Sequence, residues 1–346
     1  MIASSAFLWL QIGLLALLTT LAVSGFMSIA GLGDSPDERS AHSGTIPTSG
    51  GVGVIAGISA ALCAVSLLFP ELNLPRGFAP IISLFFAIGM LGLVDDGLTL
   101  GAKTKFGIMI FICAAAVWLI GAPTNLPFLR EPIPLMPSVG FVGAMLWIFV
   151  VINAVNFMDG ANGMISLSLM VANVGLFGAG LIGGSPTTLL LSGLSLMTIL
   201  GFLPYNLRRS ARIFFGDVGS LSLSFLFAVA VLYLIKETPK MTLHLVGPIL
   251  ILPILADVLL TLVRRARKRD NLLQAHNTHL YQRLIRHGFS HLSVSWFYAL
   301  ITLVCANIVV IGTPYGWLDR LSIPLILVGA ITTAYLLISH RLGDTS

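Results

Sequence analysis

Charge is scarce in this chain. Asp, Glu, Lys and Arg make up 10% of its 346 residues, against roughly 25% in a soluble globular domain. With 56% hydrophobic residues and a mean hydropathy of +0.97, that scarcity excludes a water-soluble fold. Strict apolar–polar alternation in segments of about ten residues is missing too, which excludes a transmembrane barrel. Cysteine is sparse. Cys63, Cys113 and Cys305 lie far apart in apolar runs, with no CxxC spacing, so neither a disulfide framework nor a zinc site is expected. No basic residue precedes the first apolar run, residues 6–30. That run exceeds the roughly 7–15 residues of a signal-peptide core, so it is read as a retained membrane span. No repeat, linker or low-complexity tract divides the chain, and residues 1–346 are expected to form one integral membrane domain. The net charge of +5 follows membrane sidedness, and no nucleic-acid partner is expected.

What the chain has is apolar length. Runs long enough to cross a bilayer cover residues 6–30, 46–69, 79–94, 106–122, 136–155, 164–183, 186–203, 220–236, 243–263, 293–312 and 321–339. The expected fold is therefore an all-α polytopic membrane protein of about eleven transmembrane helices. Of the 19 Lys and Arg residues, only Arg76, Arg130, Lys236, Lys240 and Arg320 belong to even-numbered connectors. The rest lie on odd connectors and the C-terminal tail. The positive-inside rule then places odd connectors and the C-terminus in the cytoplasm and the N-terminus outside.

Four polar islands interrupt the apolar chain, and all four fall on the cytoplasmic side. They are Val94-Asp95-Asp96-Gly97, residues 153–160, residues 215–220 and residues 276–283. Acids and imidazoles beside membrane spans are costly and mark function by default. Asp95 and Asp96 are adjacent, and two carboxylates this close repel unless a cation lies between them. Mg2+ is the natural cation, held by one or two carboxylates plus phosphate oxygens. An isolated Asp-Asp-Gly is also a common solvated turn; three further islands on the same face favour function.

Asn153, Asn156 and Asp159 recur every third residue and share a helix face. Their amides could donate to phosphate, and Asp159 could accept or ligate. Asp217 lies in the tight turn Gly216-Asp217-Val218-Gly219-Ser220, placed as a metal ligand or nucleotide contact. His276 and His279 are three residues apart and precede Arg283. Without a third zinc-type ligand, these imidazoles and the guanidinium are read as phosphate ligands. The basic run from Arg264 to Arg269 is read as setting topology and contacting anionic lipid. Asp257 sits inside the ninth apolar run, where a polar group is rarely idle.

In this order and at these spacings, the islands resemble the polyprenyl-phosphate N-acetylhexosamine-1-phosphate transferase family. The resemblance runs from about Asp34 to His291. Its first cytoplasmic loop is matched by Asp34, Pro36, Arg39, His42, Pro47, Gly50 and Gly51. It implies a Mg2+-dependent site (Mn2+ as substitute) facing the cytoplasm of the bacterial inner membrane. It also implies two substrates, a UDP-N-acetylhexosamine and a polyprenyl phosphate, and UMP as one product. Carried over, Asp95, Asp96 and Asp159 are catalytic, and Asp217 and Asp96 bind metal. Asn153, Asn156, His276, His279, Arg283, Arg39 and His42 contact substrate.

Many members of that family have near-consecutive histidines where this chain reads His-x-x-His-x-Tyr-Gln-Arg-Leu. The spaced form resembles the O-antigen-initiating branch and leaves the sugar open among N-acetylglucosamine, N-acetylfucosamine, N-acetylquinovosamine and others. A homodimer is left open as well. An ion-coupled secondary transporter is the competing class, although transporters place key polar groups near the midplane.

Overall fold

The computed structural model describes residues 2–30, 33–34, 46–69, 74–98, 100–126, 133–238, 240–271, 274, 276–318 and 322–343. Helices make up most of the described residues. In order, they are α1 (Ile2–Ala30), α2 (Gly50–Leu68), α3 (Phe78–Leu98), α4 (Ala102–Ile120) and α5 (Pro137–Met158). There follow α6 (Met164–Gly183), α7 (Pro186–Asn206), α8 (Gly216–Glu237), α9 (Val246–Leu250) and α10 (Leu252–Arg267). The last three are α11 (Leu280–Arg286), α12 (His291–Gly312) and α13 (Ser322–Arg341). Two-residue antiparallel pairs join Gly33–Asp34 to Ile46–Pro47 and Asn125–Leu126 to Ile133–Pro134.

Among the described residues, ten helices are long and apolar enough to cross a membrane, and a bent pair makes up to eleven. The expected span over residues 243–263 is that pair. Residues 242–250 and α10 meet at 66°. Pro253, in the first turn of α10, has no N–H to extend the hydrogen-bond ladder from the preceding helix. Helix ends also differ from the hydropathy limits. α3 runs on through Asp95 and Asp96, α5 through Asn156, and α8 begins one residue before Asp217. A backbone ladder does not stop where side chains turn polar, so three of the islands are the last or first turns of spans.

α8 is the central helix. Its most apolar window is 94% buried, against 17% for α13, so protein rather than lipid surrounds it. α2, α3, α5, α6 and α7 pack around it. The first turn of α8 is thus enclosed by the ends of its neighbours.

Candidate active site

Close backbone approach brings the islands together. A Cβ on Gly92 of α3 would lie 2.5 Å from the Asp217 carbonyl carbon. A Cβ on Gly51 of α2 would lie 2.1 Å from the Gly219 nitrogen. Gly216 has φ +63, and a Cβ there would lie 2.0 Å from the Thr48 carbonyl oxygen, so glycine is required for both reasons. The turn before α8 is laced to the start of α2. Gly50 N donates to Phe214 O (3.0 Å), Gly51 N to Phe215 O (2.9 Å) and Phe214 N to Pro47 O (2.9 Å).

With Gly92 against α8, the next turn of α3 delivers both aspartates to the N-terminus of α8. Both oxygens of Asp96 accept from Asp217 N at 3.1 Å. An anion there meets the positive end of the helix dipole. Asp95 accepts from Leu100 N at 2.7 Å and from Lys105 Nζ at 2.7 Å. Lys105, from α4, also donates to Asp217. From α5, Asn156 Nδ2 donates to Asp217 Oδ1 (2.7 Å) and Ser220 Oγ (3.0 Å). Three helices, α3, α4 and α5, thus converge on Asp217 of α8.

Asp159 follows the end of α5 and is partly exposed. Burial of its carboxyl, then the Asp217 and Asp96 charges, push its pKa up to about 8. It is mostly protonated at neutral pH. Asn153 points elsewhere. It is buried and its amide donates to Phe149 O at 2.8 Å, one turn back in its own helix. The expected shared face of Asn153, Asn156 and Asp159 therefore supplies two groups to the site, because the first is spent on the helix backbone.

The histidine island covers the Asp159 turn. The Tyr281 hydroxyl donates to Phe157 O at 3.3 Å, and a Cβ on Gly160 would lie 2.2 Å from that hydroxyl. His279 is buried before α11, with its ring centroid 4.7 Å from that of His276 and 6.3 Å from that of Phe157. Burial, then the charges of His279, Arg265 and Arg264, lower the His276 pKa to about 4. It is therefore a neutral hydrogen-bonding group, not a cation. Its Nδ1 lies 3.0 Å from Thr278 Oγ1.

Arg283 does not face this site. Its buried guanidinium donates to Ser339 Oγ, Ser339 O and Gly343 O, at the end of α13. The expectation that it holds substrate phosphate is thus set against a structural tie, since α11 turns this side chain away from the aspartates. Arg264 and Arg265 also hold the loop before α11, donating to Thr278 O, Gln274 O and Asn271 O. Arg39 and His42 lie outside the described residues.

The carboxylates Asp95, Asp96 and Asp217 form an all-oxygen donor set, which suits a hard cation such as Mg2+. Among the described residues, no group of three or more acids, histidines or cysteines is already arranged as a metal cage. The Lys105 ammonium holds two of the three carboxylates, so donor chemistry fits the ion while ligand geometry is not preformed. Lys105 carried no motif signal in the sequence beyond its positive charge. Only the packing of α4 beside α8 shows that its ammonium lies between two aspartates.

Fold and site together define a polytopic helical membrane protein with a composite acidic site built on span ends. Residues 78–235 match the family model described as Glycosyl transferase family 4. The chain is 29% identical over 294 residues to the probable undecaprenyl-phosphate N-acetylglucosaminyl 1-phosphate transferase of Bacillus subtilis, covering 83% of this chain and 79% of that one. It is 32% identical over 239 residues to the phospho-N-acetylmuramoyl-pentapeptide-transferase of Clostridium acetobutylicum, covering 65% and 72%. It is 30% identical over 320 residues to the decaprenyl-phosphate N-acetylglucosaminephosphotransferase of Mycolicibacterium smegmatis, covering 81% and 76%. The chain belongs to this family, the polyprenyl-phosphate N-acetylhexosamine-1-phosphate transferases. Membership sets aside the transporter alternative, in keeping with acids at span ends.

Proposed function

We propose that this chain transfers an N-acetylated amino-sugar 1-phosphate from a UDP-sugar to undecaprenyl or a related polyprenyl phosphate, at the cytoplasmic face of the bacterial inner membrane. The products are UMP and the polyprenyl-pyrophosphoryl sugar, the first lipid-linked unit of a cell-envelope polysaccharide. The spaced histidines favour an O-antigen type. One observation carries the reading: Asp95, Asp96 and Asp217 meet at the ends of membrane spans, where a lipid phosphate and a soluble nucleotide can both arrive. The names of the relatives support the two substrate classes.

An oxygen of the lipid phosphate attacks the β-phosphorus of the UDP-sugar. A new P–O bond forms as the bond from that phosphorus to the bridging oxygen breaks, and the electron pair leaves with UMP. A phosphate monoester has its second pKa near about 6, so the nucleophile is already mostly ionised and needs no strong base. The difficulty is bringing anions together. Mg2+, or Mn2+ in its place, would be held by Asp217 and Asp96 and would neutralise charge on the pyrophosphate.

Asn156 fixes the orientation of Asp217, and Lys105 keeps Asp95 beside it. Asp95 positions the lipid phosphate. Asp159, at the end of α5 and close to the Asp217 and Asp96 charges, acts on the same phosphate oxygens. His276 and His279 hydrogen-bond the remaining phosphate oxygens. Arg39 and His42 are assigned to substrate contact on sequence alone.

The test uses purified protein, Mg2+, a polyprenyl phosphate and a panel of UDP-N-acetylhexosamines. UMP is expected only when all three components are present, and the panel identifies the sugar. UMP release without the lipid acceptor, or none with any UDP-sugar, contradicts the reading.

A further inference from the structure

Among the described residues, Asp257 is the most deeply buried acid outside the aspartate cluster. It sits on α10 with 1% of its surface exposed. A carboxylate in such a position must be hydrogen-bonded or it is prohibitively costly. Four donors reach it. Leu280 N (2.8 Å) and Thr261 Oγ1 (3.1 Å) donate to Oδ1, while Tyr281 N (3.2 Å) and Tyr298 Oη (2.6 Å) donate to Oδ2. Two of these are the first backbone N–H groups of α11, which have no partner within their own helix. Tyr298 comes from α12, and Thr261 is itself 2.9 Å from the Tyr335 hydroxyl of α13. One carboxylate therefore joins α10, α11 and α12 directly, and α13 through Thr261, behind the histidine island.

The contacts continue toward the aspartates. His279 Nδ1 lies 3.4 Å from Asp257 Oδ1. The His279 ring stacks beside Tyr281, at a centroid distance of 6.1 Å, and beside Phe157. The Tyr281 hydroxyl reaches Phe157 O, two residues before Asp159. The sequence from Asp257 to Asp159 is thus a set of packed and hydrogen-bonded groups, with His279 in the middle.

We infer that Asp257 is a positioning residue for the transfer reaction, acting through His279 and the start of α11. Its charge facing Nδ1 favours the proton on that nitrogen and leaves Nε2 as the working atom of the imidazole, as a carboxylate behind a metal-bound histidine does. Its hold on Leu280 and Tyr281 sets the island against the Asp159 turn. Asp257 itself touches no substrate. The inference rests on the proposed phosphosugar transfer.

The experiment is a double-mutant cycle on UMP release with Asp257→Asn, His279→Gln and the double variant, each verified as monodisperse in detergent. Asp257→Asn keeps the shape but loses the charge and presents an amide N–H to groups that are themselves donors. It is expected to lower kcat by about 10- to 100-fold, the range seen when such supporting partners are removed, with KM for the UDP-sugar changed less than about threefold. The double variant is expected to match His279→Gln within about twofold, because both changes disable one unit. Losses that multiply in the double variant, or kcat within about twofold of normal in Asp257→Asn, overturn the inference. If Asp257→Asn is not recovered folded, Tyr298→Phe removes one donor only. It is then expected to lower kcat several-fold and to show the same non-additivity; unchanged kcat overturns the inference. An unmutated enzyme that releases no UMP instead overturns the transferase reading beneath it.

Discussion

Asp217 is the side chain on which the others converge, and its neighbours define the electrostatics of the site. Lys105 lies between it and Asp95, Asn156 donates to it, and its own N–H is taken by Asp96. Asp159, just beyond this cluster, is shifted first by burial of its carboxyl and then by the Asp217 and Asp96 charges. Its pKa rises from an ordinary 3.8 to about 8. A carboxyl with a raised pKa takes up a proton on folding, so its stabilising contribution is full below pH ~4 and is lost as pH climbs through about 8. The melting temperature of the protein in chelator should therefore fall between pH 5 and 8, and Asp159→Asn should fall less. Equal slopes for the two proteins contradict the assignment. The acids were legible in the sequence because charge is rare there. Lys105 and Arg283 were not, since what each side chain touches depends on neighbouring helices. Lys105 became a partner of two aspartates, and Arg283 a tie to α13.

Among the elements, the site depends on how closely α3 can approach α8. Gly92 makes that approach possible, because any Cβ would come within 2.6 Å of the Asp217 backbone. Gly92→Ala should push α3 outward and carry Asp95 and Asp96 with it. A misplacement of about 1 Å costs on the order of 100-fold in rate, so kcat for UMP release should fall by about that much while the protein still inserts. Activity within about threefold of normal would show that the close packing is dispensable. Hydropathy found the helices but not their ends, since side-chain polarity and backbone hydrogen bonding stop at different residues. It also missed the break at Ile251, where apolar residues continue through a 66° bend. The clue was Pro253, whose missing N–H is visible in the sequence while the direction of the bend is not.

For the whole molecule, charge parity assigns the site to one side of the membrane. Fourteen of the 19 basic residues lie with the acid islands, which predicts a cytoplasmic site. In a chain with Cys63, Cys113 and Cys305 replaced by Ala, Leu126→Cys should react with a membrane-impermeant maleimide in spheroplasts. Arg208→Cys should react only after lysis. The reverse pattern contradicts the orientation. Sequence order joined the islands to a family, and the fold supplied the reason they work together: a buried central helix whose first turn gathers the ends of its neighbours. The most direct measurement is UMP release by Asp217→Asn, in protein that inserts and melts as the unmutated enzyme does. The account predicts loss to background, because Asp96, Asn156 and Lys105 all converge on that residue. Near-normal UMP release would contradict a phosphoryl-transfer site built on Asp217.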